Sequence, residues 1–278
     1  MNARLLFILL LFTIGALWYI IGYWRRKAGE AAFAAARLTE KSEERERYCR
    51  LAVMAGHREA CRMFCLLHPE RFDGHSPHKP FKLRGIRISF YGYYYPSRYN
   101  ALLNDEQRAF CHSIYQFKQG DIHGIEFFKT CMNALQLKKR PYHIMFMPCS
   151  NWIKYGQRFK RLDWYIGKHR QDLTSGLYDV DICDARESLH EAKGGEKRIL
   201  ERNYLITGKI KGKEIIIIDD ALTTGQSVVD YKEEIERCGG KVVAAIFYGK
   251  TLSMPSMLLV QIHVWGNHIT HIIERMTK

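Results

Sequence analysis

The chain has 278 residues, 47% of them apolar, which suffices for one sizeable domain with accessories and excludes wholesale disorder. Its formal charge of +14 suits a polyanionic partner, whether a pyrophosphate-bearing substrate, an anionic lipid surface or nucleic acid, and does not choose among them. Eight cysteines form no Cys-x-x-Cys pair, which argues against a zinc ribbon or a thioredoxin-like motif and suits a reducing compartment.

From Leu5 to Trp24 the residues form an apolar run of the length, roughly 20 residues, that spans a bilayer. Trp18, Tyr19, Tyr23 and Trp24 crowd its far end, and Arg25-Arg26-Lys27 follow at once, against a lone Arg4 before it. The expectation is an uncleaved anchor over 1–27, a single pass in the inner or plasma membrane with the catalytic domain cytoplasmic. A cleaved signal peptide competes, because Ala and Phe fill 31–36, but its apolar core would be too long.

Residues 28–74 read as a helical linker or a single Sel1- or tetratricopeptide-like unit, carried by Leu51-Ala52 and Ala55-Gly56-His57-Arg58-Glu59-Ala60. One copy makes no solenoid; the segment would join anchor to domain or mediate contact with a protein partner or a second copy. Cys49, His57, Cys61 and Cys65 share a stripe with Val53. Four ligands along one straight helix cannot converge on one ion, so the stripe reads as buried small residues.

The turn-rich stretch from His68 to His78 marks a boundary, with an α/β domain expected over 75–278. A strand-like segment from Lys82 to Arg98 carries a tyrosine cluster that suits half-buried sheet surface, with stacking on single-stranded nucleic acid as the alternative. A helix over Asn104 to Ile114 leads into Lys118-Gln119-Gly120. The strand from Tyr142 to Met147 ends in Pro148-Cys149-Ser150-Asn151, and a helix with Arg158 and Arg161 runs on to about Leu173. These arginines face either ligand or solvent. Cys149 lacks a recognisable His-carboxylate partner, so nucleophilic cysteine chemistry is rejected.

A second strand is expected from Tyr178 to Cys183. Asp184 to Asn203 is long, charged and split by glycines, the composition of a lid. A hairpin over Ile206 to Lys213 would deliver the chain to Glu214-Ile-Ile-Ile-Ile-Asp219-Asp220, a strand buried on both faces that ends in two carboxylates. Ala221, Leu222, Thr223, Thr224, Gly225, Gln226 and Ser227 then form a small loop and open a helix. Helix-start N–H groups and the Thr223, Thr224 and Ser227 hydroxyls suit a phosphate, and Gly225 lets the backbone approach it. Asp219 and Asp220 suit ribose hydroxyls, or a magnesium that the ligand carries. Lys241 to Tyr248 is a third buried strand, and Leu258 to Trp265 a further one before His268 and His271.

The stretch 214–227 resembles the type I phosphoribosyltransferase family, and the Lys118-Gly120 element and Tyr155-Gly156-Gln157-Arg158-Phe159 are similar to its ComF-like branch. The fold this implies is α/β, a parallel sheet flanked by helices. It also implies a phosphoribosyl pyrophosphate site using Mg2+. Residues 221–227 would hold the 5-phosphate, Asp219 and Asp220 the ribose, and Cys149, Ser150 and Asn151 the pyrophosphate. Arg158 and a lid supplying Lys193, Lys197, Arg198 and Arg202 would add positive charge. The branch's N-terminal zinc module is missing, and Arg202 adjoins Asn203, where the family leaves a gap. The implied function is phosphoribosyl transfer to an unidentified nitrogen nucleophile. A non-catalytic sensor of the same ligand, or a nucleic-acid-linked factor of the kind ComF-like proteins form in DNA uptake, is the alternative.

Overall fold

The computed structural model describes residues 3–122, 124–182, 203–207 and 210–276. They divide into two compact units: Met1–Gly74 with Ala101–Leu103 and Ser253–Lys278, and His75–Asn100 with Asn104–Leu252.

The first unit is helical: α1 (Ala3–Leu38), α2 (Ser42–Met54), α3 (Arg58–Leu67), α4 (Pro69–Asp73) and, from the end of the chain, α9 (Met257–Met276). Among the described residues no helix is long and apolar enough to cross a membrane. This overturns the anchor expected over 1–27 and the single-pass, inner- or plasma-membrane placement with a cytoplasmic catalytic domain. The side chains described on α1 begin at Leu10, and the apolar run from there to Trp24 is shorter than the roughly 20 residues that span a bilayer. The helix then continues without a break through Arg25-Arg26-Lys27 to Leu38, with Ala32, Phe33 and Ala36 packed in the core of the unit.

The cysteine stripe lies on two helices, not one. Gly56, at φ +87°, breaks the chain between α2 and α3, and His57 caps α3 by accepting from Ala60 N at 3.2 Å. Cys49, Cys61 and Cys65 are core residues beside Val53, Phe64, Val260 and Val264. Burial pushes the thiols of Cys49 and Cys65 up to about 12. The end of the chain is helical where a strand was expected: Val260 and Val264, one helical turn apart, are buried, while Leu258, Leu259, Ile262 and Trp265 are exposed.

The second unit is built on a six-stranded sheet in the order β1-β2-β8-β7-β3-β4. Its strands are β1 (Phe81–Leu83), β2 (Ile86–Tyr94), β3 (Tyr142–Phe146), β4 (Leu173–Ser175), β7 (Glu214–Leu222) and β8 (Lys241–Thr251). The pairings among β2, β8, β7, β3 and β4 are parallel, and β1 is antiparallel at the edge. The sheet is thus mixed rather than purely parallel, because the Arg84-Gly85 turn, both residues at positive φ, folds β1 straight back on β2. Ile215, Ile216, Ile217 and Ile218 are fully buried in the central strand, as expected of a strand covered on both faces. A 3-10 segment (Ser97–Leu102), α5 (Asp105–Gln119), α6 (Ile125–Leu135), α7 (Trp152–His169) and α8 (Gln226–Arg237) complete the main chain of elements.

The strand expected at 178–183 is β5 (Val180–Ile182), which pairs with β6 (Tyr204–Ile206) in a separate antiparallel ribbon. Asp181 is exposed between buried Val180 and Ile182, the alternation of a half-buried ribbon rather than a central strand. Ile206 accordingly pairs back with Val180 instead of opening a hairpin with the residues before β7.

Candidate functional site

The C-terminal end of β7 carries the acid pair where parallel strands present their ligand edge. Asp219 and Asp220 are both buried, and Asp219 Oδ1 accepts from Asp220 N at 2.8 Å. Two adjacent buried carboxylates repel each other, and the chain answers with two cations. Arg158 of α7 places Nη1 at 3.3 Å from Asp220 Oδ2 and 3.7 Å from Asp219 Oδ1. Lys118, at the end of α5, places Nζ at 3.1 Å from the same Asp220 oxygen. Burial and the charge of Asp220 push the Asp219 carboxyl well above the usual range. Burial acts the same way on Asp220, but Arg158 and Lys118 outweigh it and hold that carboxyl low.

After the pair, Leu222 is buried and Ala221 half-buried, while Thr223, Thr224, Gln226 and Ser227 are exposed around the start of α8. Gly225 has φ +78°, and a Cβ there would lie 2.3 Å from Leu83 Cδ2. Thr224 Oγ1 accepts from Gln226 N at 3.4 Å, and the Gln226 carboxamide accepts from Arg84 Nη1 at 2.7 Å. Arg84 thereby brings a guanidinium from the β1–β2 turn to the loop expected to hold a phosphate.

The loop after β3 lies beside the acid pair, since Asp219, Asp220, Arg158 and Lys118 all act electrostatically on Cys149. The Cys149 side chain is buried and its thiol pushed up to about 12 by that burial, so it is protonated near neutral pH and no nucleophile. Asn203 Nδ2 donates to the carbonyls of Cys149 and Ser150 at 3.2 and 3.4 Å. Asn151 caps α7, its Oδ1 accepting from Lys154 N at 2.9 Å. Lys193, Lys197, Arg198 and Arg202, the expected lid cations, lie outside the described residues.

Sequence reasoning placed Arg158 in the site but left it between solvent and ligand; the fold makes it a partner of both carboxylates. It passed over Lys118 as a binding residue, although the Lys-Gln-Gly element was itself visible. It missed Arg84 altogether, for which the only local signal was the Arg-Gly turn before a strand. The tyrosines expected either on sheet or on nucleic acid are committed to the sheet: Tyr93 is buried, and the ring of Tyr91 lies 5.8 Å from that of Tyr248. Trp265 belongs to α9 and the first unit.

A second polar cluster occupies the other end of β3. His143 Nε2 donates to Asp179 Oδ2 at 2.8 Å, which leaves Nδ1 of the neutral ring to accept from Thr174 Oγ1 at 2.7 Å. Burial and Lys213 lower the proton affinity of His143 despite Asp179. The cluster ties β3 to β4 and to the ribbon, a structural role.

No protein-family model matches the chain. Over 57 residues it is 40% identical to an orotate phosphoribosyltransferase of Sulfolobus acidocaldarius. That match covers 20% of this chain, and the chain spans about a quarter (26%) of that enzyme's length. A partial likeness to a phosphoribosyltransferase therefore joins an α/β sheet of the same general kind.

The acid pair does not fit a magnesium held by the protein. Its approachable oxygens face Lys118 and Arg158, and among the described residues no three His, Cys, Asp or Glu side chains gather as ligands.

Proposed function

We propose that this chain binds phosphoribosyl pyrophosphate and transfers its phosphoribosyl group to a nitrogen nucleophile. The observation that carries this reading is the buried Asp219-Asp220 pair at the end of the central parallel strand, followed at once by Thr223-Thr224-Gly225 and the start of α8. In this reading the 5-phosphate accepts from the N–H groups of 225–227 and from the Thr223, Thr224 and Ser227 hydroxyls. The ribose hydroxyls donate to Asp219 and Asp220. The pyrophosphate meets Cys149, Ser150 and Asn151, with Arg158 and Lys118 near it.

Transfer breaks the bond between ribose C1 and a pyrophosphate oxygen, and the pyrophosphate leaves with the electron pair. The nucleophile's lone pair then forms the new bond to C1. The positive charge that develops at C1 faces the carboxylates, and the negative charge on the leaving group faces the ammonium and guanidinium. Fixed charges of this kind stabilise the separated charges without solvent reorganisation. The buried setting strengthens them by keeping water out.

The experiment is calorimetric titration of the full chain with phosphoribosyl pyrophosphate, followed by a pyrophosphate-release assay against a panel of nucleobases. Binding with release supports the transferase. Binding without release makes the chain a sensor of the same ligand. No binding overturns the site.

A further inference from the structure

A site with two buried carboxylates on neighbouring residues needs positive charge close by, and a divalent cation is one source of it. Here the chain supplies the charge itself. Lys118 Nζ and Arg158 Nη1 approach Asp220 Oδ2 at 3.1 and 3.3 Å, and Arg158 also reaches Asp219 at 3.7 Å. Burial and the neighbouring charge favour the neutral form of Asp219 while Asp220 is held ionised, so the two cations at least match the negative charge of the pair.

The cations are set by the fold rather than by loose surface chains. Gly120 ends α5 two residues after Lys118, and a Cβ on it would lie 2.3 Å from the carbonyl oxygen of Gln157, the residue before Arg158. Close contact at that glycine thus seats both cations against one strand end. Arg158 Nε, moreover, is buried with no hydrogen-bond acceptor among the described residues. A buried donor left unmade costs about 1–3 kcal/mol, a cost that a ligand oxygen would remove. A divalent cation brought onto the same carboxylates would sit within a few ångströms of two positive groups already paired to them.

We propose, resting on the phosphoribosyl reading above, that Lys118 and Arg158 are built-in counter-ions of this site and that the chain binds phosphoribosyl pyrophosphate without a divalent cation. The carboxylates accept from the ribose hydroxyls, while the ammonium and guanidinium donate to the pyrophosphate oxygens.

The test is calorimetric titration of the full chain with phosphoribosyl pyrophosphate, once in excess chelator and once in excess magnesium. The two dissociation constants are expected to agree within about fivefold, a small step on a scale where tenfold is 1.4 kcal/mol. Binding more than about fivefold weaker in chelator overturns the inference and leaves the phosphoribosyl reading standing. No binding in either condition overturns that reading, and the inference with it. Lys118→Met gives a second handle: it is expected to weaken binding in chelator by more than about tenfold and to recover most of it in magnesium, with Lys118→Arg close to the parent in both. A Lys118→Met chain that binds like the parent in chelator overturns the inference. If circular dichroism shows that Lys118→Met does not fold, the parent and Lys118→Arg titrations still decide it.

Discussion

The acid pair looks symmetrical in sequence and is not symmetrical in the fold. Asp220 takes the closer approaches of both Lys118 and Arg158, while Asp219 is pushed up by burial and by its neighbour's charge. Asp220→Asn therefore strands two cations and is expected to cost about 3 kcal/mol, the lower end for breaking a buried pair because Lys118 is partly exposed. Asp219→Asn, which replaces a carboxyl that burial already drives toward its neutral form, is expected to cost about 1 kcal/mol or less. Urea denaturation at pH 7 separates the two, and equal losses would contradict the assignment. Both variants are expected to weaken phosphoribosyl pyrophosphate binding. Arg84→Ala, which removes an exposed guanidinium from beside the proposed phosphate loop, is expected to weaken it roughly tenfold with stability little changed. Titration against the parent checks this.

His143 predicts a pH dependence whose sign follows from its lowered pKa. The unfolded chain, with an ordinary value near 6.5, binds a proton more readily than the folded one. The stability it contributes is present above that value and lost as the pH falls below it. His68 and His263, also lowered by burial, add to the slope in the first unit. The readout is therefore a difference: urea midpoints at about pH 7.5 and 5.5 should converge more in His143→Gln than in the parent.

At the scale of elements, two glycines decide how closely helices and turns approach the site. Gly225 and Gly120 both have positive φ, but what faces them differs. A Cβ on Gly225 meets the tip of the Leu83 side chain, which can rotate away, so Gly225→Ala should cost about 1–2 kcal/mol from the backbone alone. A Cβ on Gly120 meets a backbone carbonyl of α7, which cannot move without the helix that carries Arg158. Gly120→Ala is expected to cost more than Gly225→Ala, about 3 kcal/mol, and to weaken ligand binding as well. Thermal denaturation of the two variants side by side tests the order. The same scale explains the misplaced strand near the end of the chain. Leu258 to Trp265 is apolar enough for either state, and burial of Val260 and Val264 on one helical face settled it.

At the scale of the molecule, the two units predict unfolding that departs from a single two-state transition, since each has its own core. Phosphoribosyl pyrophosphate at about 100 times its dissociation constant should stabilise one transition by roughly 2.7 kcal/mol and leave the other in place. Scanning calorimetry with and without ligand reads this directly. A uniform shift of all the heat absorption would contradict a site confined to the second unit.

The central strand, the acid pair and the loop proposed to hold a phosphate were legible because they are local. Four isoleucines, two aspartates and Thr-Thr-Gly state a buried strand, a polar end and a turn within 14 consecutive residues. The cations on that pair were not legible, because Lys118 and Arg158 lie about 100 and 60 residues away and meet it only when α5 and α7 pack together. The N-terminal run misled for a related reason: an apolar stretch does not show that one unbroken helix carries it past Arg25-Arg26-Lys27 into a packed core. Sequence by itself determined which residues form the strand and the site's own loop. Tertiary structure alone decided which charges face the carboxylates, because electrostatic partners are chosen by distance in space and not along the chain.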